Sequence, residues 1–78
     1  MITVRYFAAA AEAAGVDAEQ LPAGSIAQVR AAMVSLHGAA LDRVLSRCAL
    51  LADGTRVEGD DPVPAGAVLD VLPPFAGG

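Results

Sequence analysis

Apolar and polar residues alternate from the start of the chain, with Ile2, Val4 and Tyr6 interleaved with Thr3, Arg5 and Phe7. A period of two belongs to a strand with one buried face. Ile2, Val4 and Tyr6 are therefore expected to face the core, and Phe7 the opposite side. The period then changes. Ala8 to Ala14 is alanine-rich around Glu12 and stops at Gly15, as suits a short helix closed by a left-handed glycine. Val16 to Leu21 is a weaker strand pattern, closed by Pro22-Ala23-Gly24.

Ser25 to His37 reads as the main helix. Ile26, Val29, Met33 and Leu36 recur at helical spacing, Gln28 and Arg30 lie off that stripe, and Ser25 with Gln28 forms a capping-box pattern. His37 in the last turn complements the helix dipole, and Gly38 suits the left-handed position after it. A short helical turn is expected over Ala39 to Leu45, with Asp42 and Arg43 in solvent.

Arg47 to Ala52 and Thr55 to Glu58 flank Asp53-Gly54, a strong two-residue hairpin signal. That loop pairs Ala52 with Thr55, Leu51 with Arg56 and Leu50 with Val57. Cys48, Leu50 and Val57 then share the face covered by the helix, with Leu51 and Arg56 on the other. Gly59 to Gly66 reads as a loop, its Asp60-Asp61 a solvated turn. Ala67 to Leu72 is a last strand, with Leu69 and Val71 inward and Val68, Asp70 and Leu72 outward.

Strand, short helix, weak strand, helix, hairpin and strand suit an α+β class. One main helix under a mixed sheet of four to five strands is the β-grasp, or ubiquitin-like, architecture. Its first and last strands are parallel central neighbours, which brings Phe7 and Leu72 together on the open face. Residues 1–72 form the domain, and residues 73–78 a tail protruding from it.

Composition narrows the function. A chain of 78 residues buries somewhat more than about 60 % of its unfolded surface. No apolar run is long enough to span a bilayer, and no basic segment leads an apolar core at the start, so a cytoplasmic location and no membrane partner are expected. A formal charge of −4, with five arginines and no lysine, argues against nucleic acid and for a basic partner site. The lone Cys48 forms no internal disulfide and reads as a buried structural thiol; His37 is equally alone, so no metal site is expected. No nucleophile–histidine–acid set or phosphate loop is present.

Chemistry is left to the tail, Pro73-Pro74-Phe75-Ala76-Gly77-Gly78. The two prolines lack N–H groups, so they end the strand and stiffen its exit. Ala76, Gly77 and Gly78 are nearly bare, which suits a carboxylate presented on an arm thin enough to enter a slot. A carboxylate is a poor acyl donor, so a partner has to activate it, as adenylation does. Burying Phe75 yields roughly 1.5–3 kcal/mol, whereas ordering the last four residues costs roughly 1–2 kcal/mol each. The globular part must therefore supply most of the affinity, and Phe7, Leu51 and Leu72 on the open face are the candidates.

The opening ITVRYFA, the ending PPFAGG and the length resemble the ubiquitin-like sulfur-carrier family, within it most closely the small subunits of molybdopterin synthase. The resemblance implies no bound cofactor. It implies instead that an ATP-using, ubiquitin-activating-like adenylyltransferase activates Gly78 and that a sulfur donor protein converts it to a thiocarboxylate. The tail (Gly77, Ala76, Phe75, Pro74 and Pro73 behind Gly78) would then insert into the molybdopterin synthase large subunit and give sulfur to a pterin precursor. On this reading the chain is no enzyme alone but the sulfur-donating subunit of one. Phe7 matches an aromatic family position and Leu72 an apolar one. The chain departs from the pattern at Ala65-Gly66-Ala67, where acids are common, at Asp53-Gly54, where Asn is common, and at Arg56, where an apolar residue is common. The thiamin sulfur carrier resembles this fold and also ends in Gly-Gly but is typically shorter and lacks the Pro-Pro pair, whereas carriers for cysteine synthesis or tRNA thiolation have closely similar tails. A ubiquitin-like modifier would end amide-linked to a lysine, and a non-covalent interaction domain would tolerate loss of Gly77 and Gly78.

Overall fold

The computed structural model describes residues 1–74. Along them run β1 (Ile2–Tyr6), α1 (Ala9–Ala14), β2 (Ala18–Leu21), β3 (Gly24–Ser25), α2 (Ile26–His37), α3 (Ala39–Leu45), β4 (Ala49–Ala52), β5 (Thr55–Arg56), β6 (Pro62–Val63) and β7 (Val68–Leu72). A five-stranded mixed sheet has the order β2-β1-β7-β4-β5. Its two central strands, β1 and β7, are parallel and in register from Thr3 beside Val68 to Tyr6 beside Val71, and every other pairing is antiparallel. This is the β-grasp fold expected above.

Side-chain alternation decides which face is covered. Ile2, Val4 and Tyr6 of β1, Leu69 and Val71 of β7 and Ala52 of β4 are buried on one face, against Ile26, Val29 and Met33 of α2 and Leu41 and Leu45 of α3. The expected hairpin register holds: Leu51 pairs with Arg56 and Ala52 with Thr55, and the Val57 N–H donates to the Leu50 carbonyl at 2.9 Å. Asp53 and Gly54 take positive φ values of 48° and 84°, the requirement of a two-residue hairpin loop.

Both helix N-termini of interest follow from local chemistry. At α2 the Ser25 hydroxyl accepts from the Gln28 N–H, and the Gln28 side-chain oxygen accepts from the Ser25 N–H, completing the capping box. The Ile26 and Ala27 N–H groups donate to the carbonyls of Asp61 and Gly59 at 2.8 and 3.0 Å. The unpaired donors of the first turn are thus all satisfied. At α1, Ala8 enters the helix with φ 50° and ψ −125°, an unfavourable backbone for an alanine.

Several expectations are corrected. The 59–66 segment is not only loop: Pro62 and Val63 pair with Ser25 and Gly24 in a second, two-stranded sheet, and Val63 is buried. Pro62 is tolerated there because a two-stranded sheet has only edges. The hairpin strands are shorter than expected. The Arg47 and Cys48 N–H groups turn back to Val44 and Leu45, and the Glu58 N–H bonds the Asp61 carboxylate, so neither end extends the ladder. Gly38 has the expected positive φ (82°) but an extended ψ of −165°, because it turns directly from α2 into α3. Leu36 is 60 % exposed rather than part of the core stripe. In the last turn of α2 the inward position belongs to His37, one residue and 100° further round.

Candidate functional site

Because β7 is central, its end is the best-anchored exit in the domain. Its pairing runs through Leu72, opposite Ala49, and the chain leaves as Pro73, half-buried, and Pro74, exposed. Neither proline can extend the ladder, so the departure point is set by covalent chemistry. The remaining tail positions of the sequence reading, Phe75, Ala76, Gly77 and Gly78, lie outside the described residues. Beside the two prolines is a groove of about 430 Å³ formed with Ala9, Arg43, Val44, Ser46 and Arg47.

The open face of the sheet is organised in rows by strand register. Phe7 follows β1, donates its N–H to the Val71 carbonyl at 3.3 Å and so lies level with Leu72, which in turn pairs with Ala49. The next row runs Ala18, Arg5, Asp70, Leu51, Arg56. Phe7 is 40 % exposed, and Leu51 and Leu72 are half-buried. Phe7 and Leu72 are thus register neighbours as expected, whereas Leu51 stands diagonally from Leu72 and beside Asp70.

An ion pair occupies the middle of this face. The Arg5 guanidinium grips Asp70 through both carboxylate oxygens, Nε to Oδ1 at 2.6 Å and Nη2 to Oδ2 at 2.9 Å. It also lies 5.8 Å from the centre of the Phe7 ring, within cation–π range. Sequence reasoning put Asp70 on the outward face without giving it a partner, and Arg5 follows from its alternation with Val4 and Tyr6. Their like parity on two parallel neighbours was the available signal.

A second polar cluster lies under the covered face. The Tyr6 hydroxyl donates to Glu19 Oε2 at 2.6 Å, and His37 Nε2 meets the same oxygen at 2.6 Å. The Tyr6 and His37 rings pack edge to face with centroids 5.9 Å apart. His37 therefore joins α2 to β2 rather than merely ending a helix in solvent. Burial, then the bond to Glu19 and its charge, push the Tyr6 phenol well above the usual tyrosine range. This joins the first strand, the second strand and the main helix through one carboxylate.

Among the described residues no other group competes as a reactive centre. The Cys48 thiol donates to the Val44 carbonyl at 3.2 Å, and burial pushes it up from its ordinary value, the reverse of what a nucleophile needs. No group of three metal-binding side chains occurs among the described residues, and no helix there is long and apolar enough to cross a membrane.

A β-grasp domain whose central strand delivers a proline-stiffened end beside an open sheet face defines a ubiquitin-like protein. The chain belongs to the ThiS family of ubiquitin-like sulfur carriers, matching it over residues 4–78. Among solved structures it is similar to SAMP1 from Haloferax volcanii, with a TM-score of 0.84 and 25 % identity over 99 % of this chain and 98 % of that one. It is also similar to a putative molybdopterin converting factor subunit 1 from Pyrococcus furiosus, at a TM-score of 0.76 and 24 % identity over 95 % and 97 % of the two chains. A third likeness is to a chain in the complex of subunits 1 and 2 of molybdopterin-converting factor from Helicobacter pylori, at 0.72 and 23 % over 99 % and 97 %. No curated sequence relative matches the chain.

Proposed function

We propose that this sulfur carrier serves molybdenum cofactor biosynthesis in the cytoplasm, as the small subunit of a molybdopterin synthase. The Gly78 carboxylate attacks the α-phosphate of ATP on an adenylyltransferase, releasing pyrophosphate and leaving an acyl adenylate. A persulfide sulfur from a donor protein attacks the acyl carbon and AMP departs. A thiol then cleaves the sulfur–sulfur bond, leaving the thiocarboxylate on Gly78 and a disulfide on the donor side. The charged tail enters the large subunit and transfers its sulfur to the pterin precursor. Phe7, Leu72 and Leu51 hold that subunit, with the Arg5–Asp70 pair fixing orientation between them.

The observation that carries this reading is the family match running through the tail to residue 78, behind a Pro73-Pro74 stem on the central strand. The likeness to molybdopterin converting factor subunits supports the choice of pathway. The test is the intact mass of the untagged protein after incubation with ATP, a sulfur donor and the activating enzyme. One oxygen should be replaced by sulfur, and deletion of Gly78 should abolish the change. Adding large subunit and pterin precursor should then yield dithiolene product; thiocarboxylate without product would move the chain to another sulfur pathway.

The likeness to SAMP1, described as a small archaeal modifier protein in a second structure, favours one other reading. A modifier would be adenylated in the same way but end amide-linked to a lysine. Conjugates of higher mass in the source cell, lost on deletion of Gly78, would select it.

A further inference from the structure

The arginines of this chain are not equivalent. Arg5 is neutralised by Asp70 and Arg30 by Asp42 at 3.1 Å, while Arg56 lies on the outer hairpin strand. Arg43 and Arg47 are both exposed, and among the described residues neither comes within ion-pair distance of a carboxylate. Both line the groove beside Pro73 and Pro74, whose remaining wall is Ala9, Val44 and Ser46. Among the described residues the groove thus has an apolar floor, two cations without a carboxylate partner and none of the nine acidic side chains. Two like charges lining one groove disfavour one another, and a partner bearing carboxylates would relieve this.

We propose that this groove receives an acidic segment of the adenylyltransferase that activates the tail, two of its carboxylates facing Arg43 and Arg47 at the mouth of the tail channel. The proposal rests on the activated-tail reading and deepens it by assigning a contact at the root of the tail. The nucleotide itself is a poorer occupant. Four residues separate Pro74 from the end of the chain, and extended they span about 13–14 Å. The phosphates of ATP belong at Gly78, not at Pro74. The overall charge of −4 makes the contact directional. An acidic segment meets attraction at the groove and repulsion over most of the remaining surface, so the contact sets orientation as the tail enters.

The test is chain-dependent ATP–pyrophosphate exchange by the adenylyltransferase of the source cell, which reads activation alone and not the later fate of sulfur. Wild type, the double variant Arg43→Glu/Arg47→Glu and the double variant Arg43→Lys/Arg47→Lys are compared, with circular dichroism confirming the fold of each. The glutamate pair should raise KM for the chain by about tenfold or more while kcat is retained. The lysine pair should restore most of the loss, and added salt should raise the wild-type KM more steeply than that of the glutamate pair. An unchanged KM in the glutamate variant, with wild type fully active, overturns the groove assignment. Absence of exchange with wild type itself overturns the activated-tail reading and this contact together.

Discussion

Tyr6 is the only tyrosine and the chain has no tryptophan, so one absorbance signal reports one buried phenol. The residue is 3 % exposed, its hydroxyl donates to Glu19, and burial holds its pKa well above the ordinary value. Below pH 10 the folded and unfolded chains both keep the phenolic proton, and its contribution to stability is fully present. Above the unfolded pKa of about 10 the unfolded chain releases the proton while the folded chain keeps it. Stability then falls by about 1.4 kcal/mol per pH unit. Two units above that point the loss is about 2.7 kcal/mol, a large share of the roughly 4–12 kcal/mol expected for a domain of this size. Cys48 acts in the same direction from a lower pH, since burial raises its thiol too. The measurement is therefore made in a Cys48→Ala background. Phenolate absorbance should stay absent while the far-ultraviolet circular dichroism is native, and appear together with alkaline unfolding. Tyr6→Phe should remove the steep loss above pH 10. A phenolate band rising with a midpoint near 10 in a fully folded protein would refute the account of Tyr6 as sealed and hydrogen-bonded.

Other expectations follow from single residues. Phe7→Arg should abolish binding to the large subunit in a pull-down or calorimetric titration, with the melting temperature unchanged because Phe7 is exposed. Gly38→Ala places a side chain at φ 82°, ψ −165° and should cost about 1–3 kcal/mol in urea unfolding. Ala8→Gly does the reverse at φ 50°, ψ −125°, and should be neutral or stabilising by up to about 1 kcal/mol. Met33→Ala empties a fully buried site under the sheet and should cost about 2–5 kcal/mol by the same unfolding assay.

Much of the fold was legible because its signals are local and periodic. Alternation at Ile2, Val4 and Tyr6, the Ser25–Gln28 capping box, the Asp53-Gly54 turn and the Pro73-Pro74 stop each declare their structure within a few residues. What the pattern hid is polar and non-local. The Arg5–Asp70 pair spans 65 residues of sequence, the His37–Glu19 contact 18, and the β3–β6 pairing joins segments too short to show a period.

Glu19 shows how an apolar template misleads. It has the same parity as buried Leu21 in β2, so it points inward at the place where alternation calls for a hydrophobe. Read by hydropathy, that makes β2 weak; read by partners, it makes β2 specific. The carboxylate is matched by a phenol from β1 and an imidazole from α2, and no buried polar side-chain atom among the described residues is left without a partner. The same exchange accounts for Leu36. The last turn of α2 can aim only one of two consecutive residues at the core, and the inward slot contains a carboxylate that an imidazole can answer and a leucine cannot. An unpaired Glu19 would be costly there, so the exposed Leu36 is the consequence of a polar contact, and the sheet edge at β2 is joined to the helix by chemistry that hydrophobic periodicity does not encode.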